Sequence, residues 1–333
     1  MFRTEVMTPF DKLTVGYEPI TLTDAQEKLC ENKLGTLPIV NKAGELVALT
    51  SRTDLKKTKT FPNASMDKNQ QLLVAAAVPV GDTARIDDLV MAGVDAILIH
   101  SLHGDTKDMV DTVKYIKANH KNTDVIAGNI VTSAQARNLC EAGADAIRIG
   151  MGASSVSMTA SVSAVGRPQA TAVYNVAKFV QKEFGIPVLA DGGCNNSGQV
   201  MKALCLGANA VFCGSLLAGS DQAPGSYFYN EGMRVKAFRG TASTMQQART
   251  GVSGAVVDKG DVLKLVQYIM MGVRHGMQDL GVKTMEDLHP SLRSGKVRME
   301  IRSNCAQKEG KVHDLHRSGK GNAFAFKASL GMS

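Results

Sequence analysis

Three glycine-bearing turns hold the residues best suited to bind a small anion. They are Gly150-Met151-Gly152-Ala153-Ser154-Ser155, Asp191-Gly192-Gly193, and Gly214-Ser215 within CGSLLAG (213–219). A glycine lets backbone N–H groups approach an oxyanion closely, and such turns cradle phosphate. The same glycines could serve only to tighten turns. Two such loops after adjacent strands, with a third nearby, favour a phosphate-bearing small ligand. Asn129 lies in a similar place, near the end of an apolar run. The six cysteines (Cys30, Cys140, Cys194, Cys205, Cys213, Cys305) form no CxxC and no short Cys/His cluster. They read as reduced, mostly buried thiols, and zinc is not expected. Cys194 follows the ADGG turn and is the candidate for a displaced nucleophile, although it follows a different strand from the Gly150 loop. His275, His289, His313 and His316 lack metal-ligand spacing and read as solvated or capping side chains.

The elements that position these turns alternate. Short apolar runs at 72–78, 95–101, 124–130, 145–151, 187–193 and 210–215 are separated by stretches of helical periodicity, most of them ending in glycine. Three joints repeat one phrase: AGVDAILI (92–99), AGADAIRI (142–149) and LGANAVFC (206–213). This alternation implies a parallel sheet covered by helices, either a barrel or a doubly wound sheet. The polar and glycine residues fall at the C-terminal ends of the strands, where a barrel binds its ligands. Residues 1–60 form a separate unit. It has a helix at 21–35 capped by Thr23 or Asp24, with Leu22, Ala25, Leu29 and Cys30 on one face, strands at 37–41 and 45–51, and a second helix from Ser51. Residues 61–71 are polar, carry Pro62, and read as a linker. Met270 and Met271, in LVQYIMMGVRHGM, read as part of a core-facing helix rather than a cofactor box.

Composition narrows the function classes. Of 333 residues, 44% are hydrophobic and 21% charged, the balance of a folded globule rather than a disordered chain. No apolar run approaches the roughly 18–20 residues that cross a bilayer. The N-terminus lacks the apolar core of a secretory signal, so a cytoplasmic protein is expected. Net charge is +7, and residues 293–333 hold nine Lys/Arg against three Asp/Glu. A basic tail can bind polyanions, but this one has no interleaved stacking aromatics, so nucleic acid is not the expected partner.

The segments GNIVTSAQARNLCEAGADAIRIGMG, AVGRPQATAVYNVA, PVLADGGCNNSGQVMKALCLGA, GSLLAGSDQAPGSYF and GVSGAVVDKG resemble the inosine-5′-monophosphate (IMP) dehydrogenase family. GRPQATAV favours it over the related GMP reductases. VMTP, LPIVN and RTDLKK, within 6–57, resemble that family's second cystathionine-β-synthase (CBS) motif. The resemblance implies an α/β protein: a TIM-type (β/α) barrel, incomplete at its N-terminus, preceded by a partial CBS (Bateman) module. On that reading the chain has a single CBS motif at 1–60, a linker at 61–71, a βα barrel lacking its first strands and its flap at 72–292, and a basic C-terminal tail at 293–333. The family's reaction converts IMP, NAD and water to xanthosine monophosphate and NADH. A cysteine thiolate attacks the purine, and a mobile flap supplies the base for hydrolysis.

Carried over residue by residue, the resemblance assigns Ser155, Asp191, Gly192, Gly193, Gly214 and Ser215 to the nucleotide's ribose and phosphate. It assigns His100, Ser101 and Asn129 to the NAD side and the Gly150–Gly152 loop to a monovalent cation (K+). Ser157 stands at the nucleophilic cysteine, with Thr159 beside it. A serine hydroxyl is a weak nucleophile without a positioned base. Only seven residues separate Ser243 from Gly251, where the family carries a longer flap, and Arg249 lies in that remnant. Phe238 replaces a phosphate-binding tyrosine, Thr241-Ala242 a Met-Gly that contacts the purine, and Thr250 a glutamine. His100 replaces the aspartate implied to hold the NAD ribose. The sequence therefore predicts a divergent homologue impaired in catalysis. It would keep purine-nucleotide (IMP-like) binding, or associate as a homo-oligomer or with a full-length IMP dehydrogenase. Two alternatives stay open: an active enzyme using Ser157, and a polyanion binder using the tail. Six barrel strands are counted, which leaves two edges uncovered.

Overall fold

The computed structural model describes residues 7–69, 71–154, 159–239 and 253–310. The chain divides into two compact units, Met1–Leu73 and Val74–Ser333.

The first unit is a three-stranded sheet of β1 (Gly16–Tyr17), β2 (Thr36–Val40) and β3 (Leu46–Ser51), with helices α1 (Leu22–Glu31) and α2 (Arg52–Thr60). Thr21, rather than Thr23 or Asp24, caps α1, and its side chain accepts from the Asp24 N–H. The buried stripe is also narrower than expected. Ala25 and Leu29 pack on Leu37, while Leu22 and Cys30 are exposed. Ala25 and Leu29 align at i, i+4; Cys30 is turned ~100° away, and Leu22 opens the helix beyond the small core. The β2–β3 turn is held by Asn41, whose Oδ1 accepts from Ala43 and Glu45 N–H, with Gly44 at φ +81°. Ser51 and Asp54 form a capping box at the start of α2. Within 61–71, Met66 pairs with Leu72 in an antiparallel bridge, so this stretch is part of the unit.

The second unit is built on a six-stranded parallel sheet in sequence order. Its strands are β4 (Ala75–Pro79), β5 (Ala96–His100), β6 (Asp124–Ile130), β7 (Ala146–Ile149), β8 (Val188–Asp191) and β9 (Ala210–Phe212). Five fall within the apolar runs of the sequence, and β4 overruns its run (72–78) by Pro79. Between them lie α3 (Thr83–Met91), α4 (Lys107–Asn119), α5 (Ser133–Glu141), the short α6 (Thr159–Ser163), α7 (Gln169–Glu183) and α8 (Ser197–Cys205). Alternation along the strands sorts the two faces. Ile97, Ile99, Val125, Ile147, Ile149 and Val188 pack with helix residues such as Ile86, Val113, Leu139 and Val176 in one core. The intervening residues, Leu98, Ile126, Arg148, Leu189 and Phe212 among them, belong to the other, concave face. The result is a parallel half-barrel with the strand order of a TIM-type fold.

The repeated phrase has one structural meaning at all three joints. Gly93, Gly143 and Gly207 end α3, α5 and α8 at positive φ. Each joint closes with paired bonds, Gly93 N–H to Val90 O and Val94 N–H to Leu89 O in the first, which is a Schellman cap. The acidic or amide side chain that follows then reaches back to the preceding strand. Asp95 accepts from Val74 N–H at 2.7 Å, Asp145 from Val125 N–H at 2.7 Å, and Asn209 from Val188 N–H at 3.0 Å. Each phrase thus pins the foot of one strand to the foot of its neighbour.

After β9 the chain forms an antiparallel sheet that the sequence reading did not foresee: β10 (Tyr227–Asn230), β11 (Met233–Arg239) and β12 (Ser253–Val257). Helices α9 (Val262–Asp279), α10 (Met285–Arg293) and α11 (Asn304–Glu309) follow. Helix α9 does face a core, through Leu265, Ile269 and Val273, but Met270 and Met271 are exposed on another side of it. His289 is half-buried, and its Nε2 meets the Leu204 and Ala208 carbonyls at 3.1 and 3.2 Å, so it caps the end of α8. No described helix is long and apolar enough to cross a membrane.

Candidate functional site

The C-terminal ends of β5 to β9 converge on one ion pair, Arg148–Asp191. Asp191, the last residue of β8, receives three donors on the same oxygen: Asn129 Nδ2 at 2.7 Å, Arg148 Nε at 3.0 Å and Arg148 Nη2 at 2.8 Å. Arg148 projects from the concave side of β7, only 5% exposed, while Asp191 is 19% exposed. Its neighbour in register on β6 is Gly128, where a Cβ would lie 2.8 Å from the Arg148 Cβ. Absence of a side chain there lets the two strands approach closely at Arg148. Phe212 of β9 covers the guanidinium, its ring centroid 4.2 Å from the Arg148 carbon, a cation–π contact. The remaining nitrogen, Nη1, lies 3.1 Å from His100 Nδ1 at the end of β5. Arg148 therefore links the ends of three strands and is covered by a fourth.

The amide of Asn129 can be oriented from its partners alone. Its Nδ2 faces the Asp191 carboxylate and the Gly150 carbonyl at 2.9 Å, both pure acceptors. Asn129 Oδ1 is then buried with no hydrogen-bond partner among the described residues. Gln169, at the start of α7, repeats the pattern. Its Nε2 donates to the Ile149 and Asp191 carbonyls at 2.9 and 3.0 Å, and its Oε1 is likewise orphaned. Buried polar atoms are almost always paired, so two orphans in one cluster mark places where something else donates.

The glycine turns pack against one another around this cluster. A Cβ on Gly150 would overlap the Asp191 carbonyl oxygen, and one on Gly192, at φ +97°, would overlap the Ala153 carbonyl oxygen. Only glycine permits that approach. The Ser215 hydroxyl lies 3.5 Å from Asn195 Oδ1, so the Gly214-Ser215 turn neighbours the turn after Asp191-Gly192-Gly193. Lys259 Nζ donates to the Ser215 and Leu216 carbonyls at 2.8 and 2.9 Å, fixing that turn from behind, and desolvation holds its ammonium below the usual lysine range. The structure thus brings together Asn129, Gly150, Gly152, Asp191, Gly192, Gly193, Gly214, Ser215 and His100. Ser101 stays in its own loop: its hydroxyl donates to the His103 carbonyl at 2.9 Å. Ser155, Ser157, Thr241, Ala242, Arg249 and Thr250 lie outside the described residues, as does the side chain of Thr159, which opens α6.

The cysteines are less buried than expected: Cys205 is buried, Cys140, Cys194 and Cys213 are intermediate, and Cys30 and Cys305 are exposed. All six are free thiols. Burial first, then the neighbouring Cys213 and Asp191, pushes the Cys194 thiol up to about 11. Such a shift disfavours the thiolate, the nucleophilic form. His100 is moved the other way. Desolvation, then the Arg148 charge, holds its imidazole below the ordinary histidine value, with Asp191 partly opposing. Among the described residues no group of three or more His, Cys, Asp or Glu side chains could hold a metal ion.

Sequence reasoning missed Arg148, Gln169, Phe212 and Lys259 as functional positions. Arg148 did leave a signal: a charge between two isoleucines of a buried strand must have a partner.

Known proteins share this arrangement of chain. Residues 21–313 match the IMP dehydrogenase / GMP reductase domain. An inosine-5′-monophosphate dehydrogenase from Toxoplasma gondii is 43% identical over 95% of this chain and 71% of its own length. One from Caenorhabditis elegans is 43% identical over 94% of this chain, which spans 62% of that protein. Among solved structures, a GMP reductase variant from Trypanosoma brucei in complex with guanosine 5′-monophosphate superposes with a TM-score of 0.84 at 32% identity. The match covers 94% of this chain and 67% of that one. By domain match, by identity and by fold, the chain belongs to the IMP dehydrogenase / GMP reductase family.

Proposed function

We propose that the mouth of the half-barrel binds a purine ribonucleoside monophosphate and that the chain is impaired in the family's oxidation. One observation carries the binding: three donors crowd onto a single oxygen of Asp191. Its other oxygen, and the orphaned Oδ1 of the hydrogen-bonded Asn129, have no donor among the described residues. Two acceptors on touching side chains suit the two hydroxyls of a ribose. The glycine turns at 150–152, 192–193 and 214–215 supply N–H groups for a phosphate at the same end of the sheet. The GMP complex of the trypanosome relative supports a nucleotide in such a mouth.

The cofactor side fits less well. His100 Nδ1 already accepts from Arg148, so the ring has no acceptor left for a ribose diol. The Gly150 carbonyl, one of the loop oxygens assigned to K+, is engaged by Asn129. With serine at position 157 in place of a thiolate, no hydride step is derived for this chain. In the same reading, the chain associates with copies of itself or with a full-length relative.

Isothermal titration with IMP, GMP and 2′-deoxy-IMP tests the binding. The ribonucleotides bind, the deoxy analogue binds about tenfold more weakly, and Asp191→Ala removes the difference. Equal binding of ribo and deoxy forms overturns the reading. Xanthosine monophosphate produced from IMP and NAD overturns the impairment.

A further inference from the structure

His100 is a histidine whose tautomer can be read from its partner. A guanidinium has five N–H donors and no acceptor. The Arg148 Nη1 to His100 Nδ1 contact of 3.1 Å therefore requires a lone pair on Nδ1, and the ring proton must sit on Nε2. Arg148 cannot swing away to release the ring, because its other two nitrogens are anchored on Asp191 and its flat face lies on Phe212. Among the described residues nothing accepts from His100 Nε2, and the residue is exposed at the mouth.

We propose that His100 is a specificity-determining donor: Arg148 locks its ring as the Nε2–H form, and that single N–H selects an accepting oxygen on the ligand, a phosphate or a carbonyl, over a vicinal diol. The proposal deepens the nucleotide reading and rests on it. The two acceptors at Asp191 and Asn129 and the one donor at His100 are separated by a guanidinium group. The mouth thus reads hydroxyls on one side and an accepting oxygen on the other. The depressed imidazole agrees: desolvation first, then the Arg148 charge, resist a second proton on the ring.

Long-range 1H–15N correlation spectra of the full chain, labelled at histidine, decide the lock without any ligand. The expected result at neutral pH is a neutral ring with a pyrrole-type Nε2 and a pyridine-type Nδ1. A proton on Nδ1, or a charged ring, overturns it. Titration with IMP and then inosine decides the donor and its source. A shift of the Nε2–H resonance with both assigns the acceptor to a carbonyl, and a shift with IMP alone assigns it to the phosphate. An unmoved resonance while IMP binds, as titration calorimetry reports, overturns the donor role but leaves the nucleotide reading intact. No binding of IMP overturns both. His100→Phe loses about 3–10-fold in IMP affinity, and His100→Gln, which keeps one donor and one acceptor, recovers it. Wild-type affinity in a folded His100→Phe protein also overturns the role.

Discussion

The two ends of the parallel sheet follow opposite rules. At the N-terminal ends of the strands one device recurs three times: a Schellman glycine, then Asp95, Asp145 or Asn209 reaching back to the foot of the preceding strand. At the C-terminal ends, glycine turns aside, the described side chains differ from strand to strand. Asn129, Arg148, Asp191, His100 and Phe212 each appear once, each from a different strand, and they meet around the Arg148–Asp191 ion pair. A repeated device can be exchanged between units and serves the frame. A cluster to which five strands each contribute something different is what the proposed nucleotide site would need. The division matches the general partition of such sheets into a stabilising end and a binding end.

The comparison can be broken most sharply at Arg148. Its replacement by methionine leaves the partly buried Asp191 carboxylate without its cation. That change should cost about 3–5 kcal/mol in urea unfolding and abolish nucleotide binding as well. If stability is unchanged, the binding end carries no structural burden and the two ends are more distinct than argued. The matching cut at the other end is Asp145→Ala, which removes the bond to Val125 N–H and the partner of Lys117 at 2.8 Å. A loss of about 1–3 kcal/mol with unchanged IMP affinity is expected, and altered affinity would undo the division.

The smallest effect concerns the helical layer outside the sheet. Asp87 there faces His120 at 2.7 Å and Tyr115 at 2.9 Å. These bonds, that from His120 foremost, hold its carboxyl below the usual range. A lowered carboxylate stabilises the fold above its unfolded value near 3.8, and that contribution is lost as pH falls through the lower folded value. Asp87→Asn should flatten the acid side of the stability profile and leave nucleotide affinity untouched. An identical acid limb in the variant would remove Asp87 from the account.

Legibility in the sequence follows the same line. The half-barrel strands were readable because each is a short apolar run, and the three joints because they repeat a phrase. The role of Asp95, Asp145 and Asn209 was not readable, since each partner N–H lies some twenty residues upstream on another strand. The glycine turns and Asp191 were readable as polar residues ending apolar runs, and the resemblance then gave them a ligand. It passed over Arg148, which reads as an interruption of AIRIG until its partners on β5, β8 and β9 are in place. The β10–β12 sheet was missed because MRVKAFR mixes cations with apolar residues. Lys236 among them is buried, its ammonium held by the Ser220 and Asp221 carbonyls.

The flanks of the half-barrel have a consequence for how the protein keeps company. Strand β9 is only three residues long, and β4 ends in Pro79, which has no amide hydrogen to offer. Brevity and proline are the features that make an open flank a poor seed for endless addition of strands. Strand edges of this kind favour pairing with a matching strand over indiscriminate stacking.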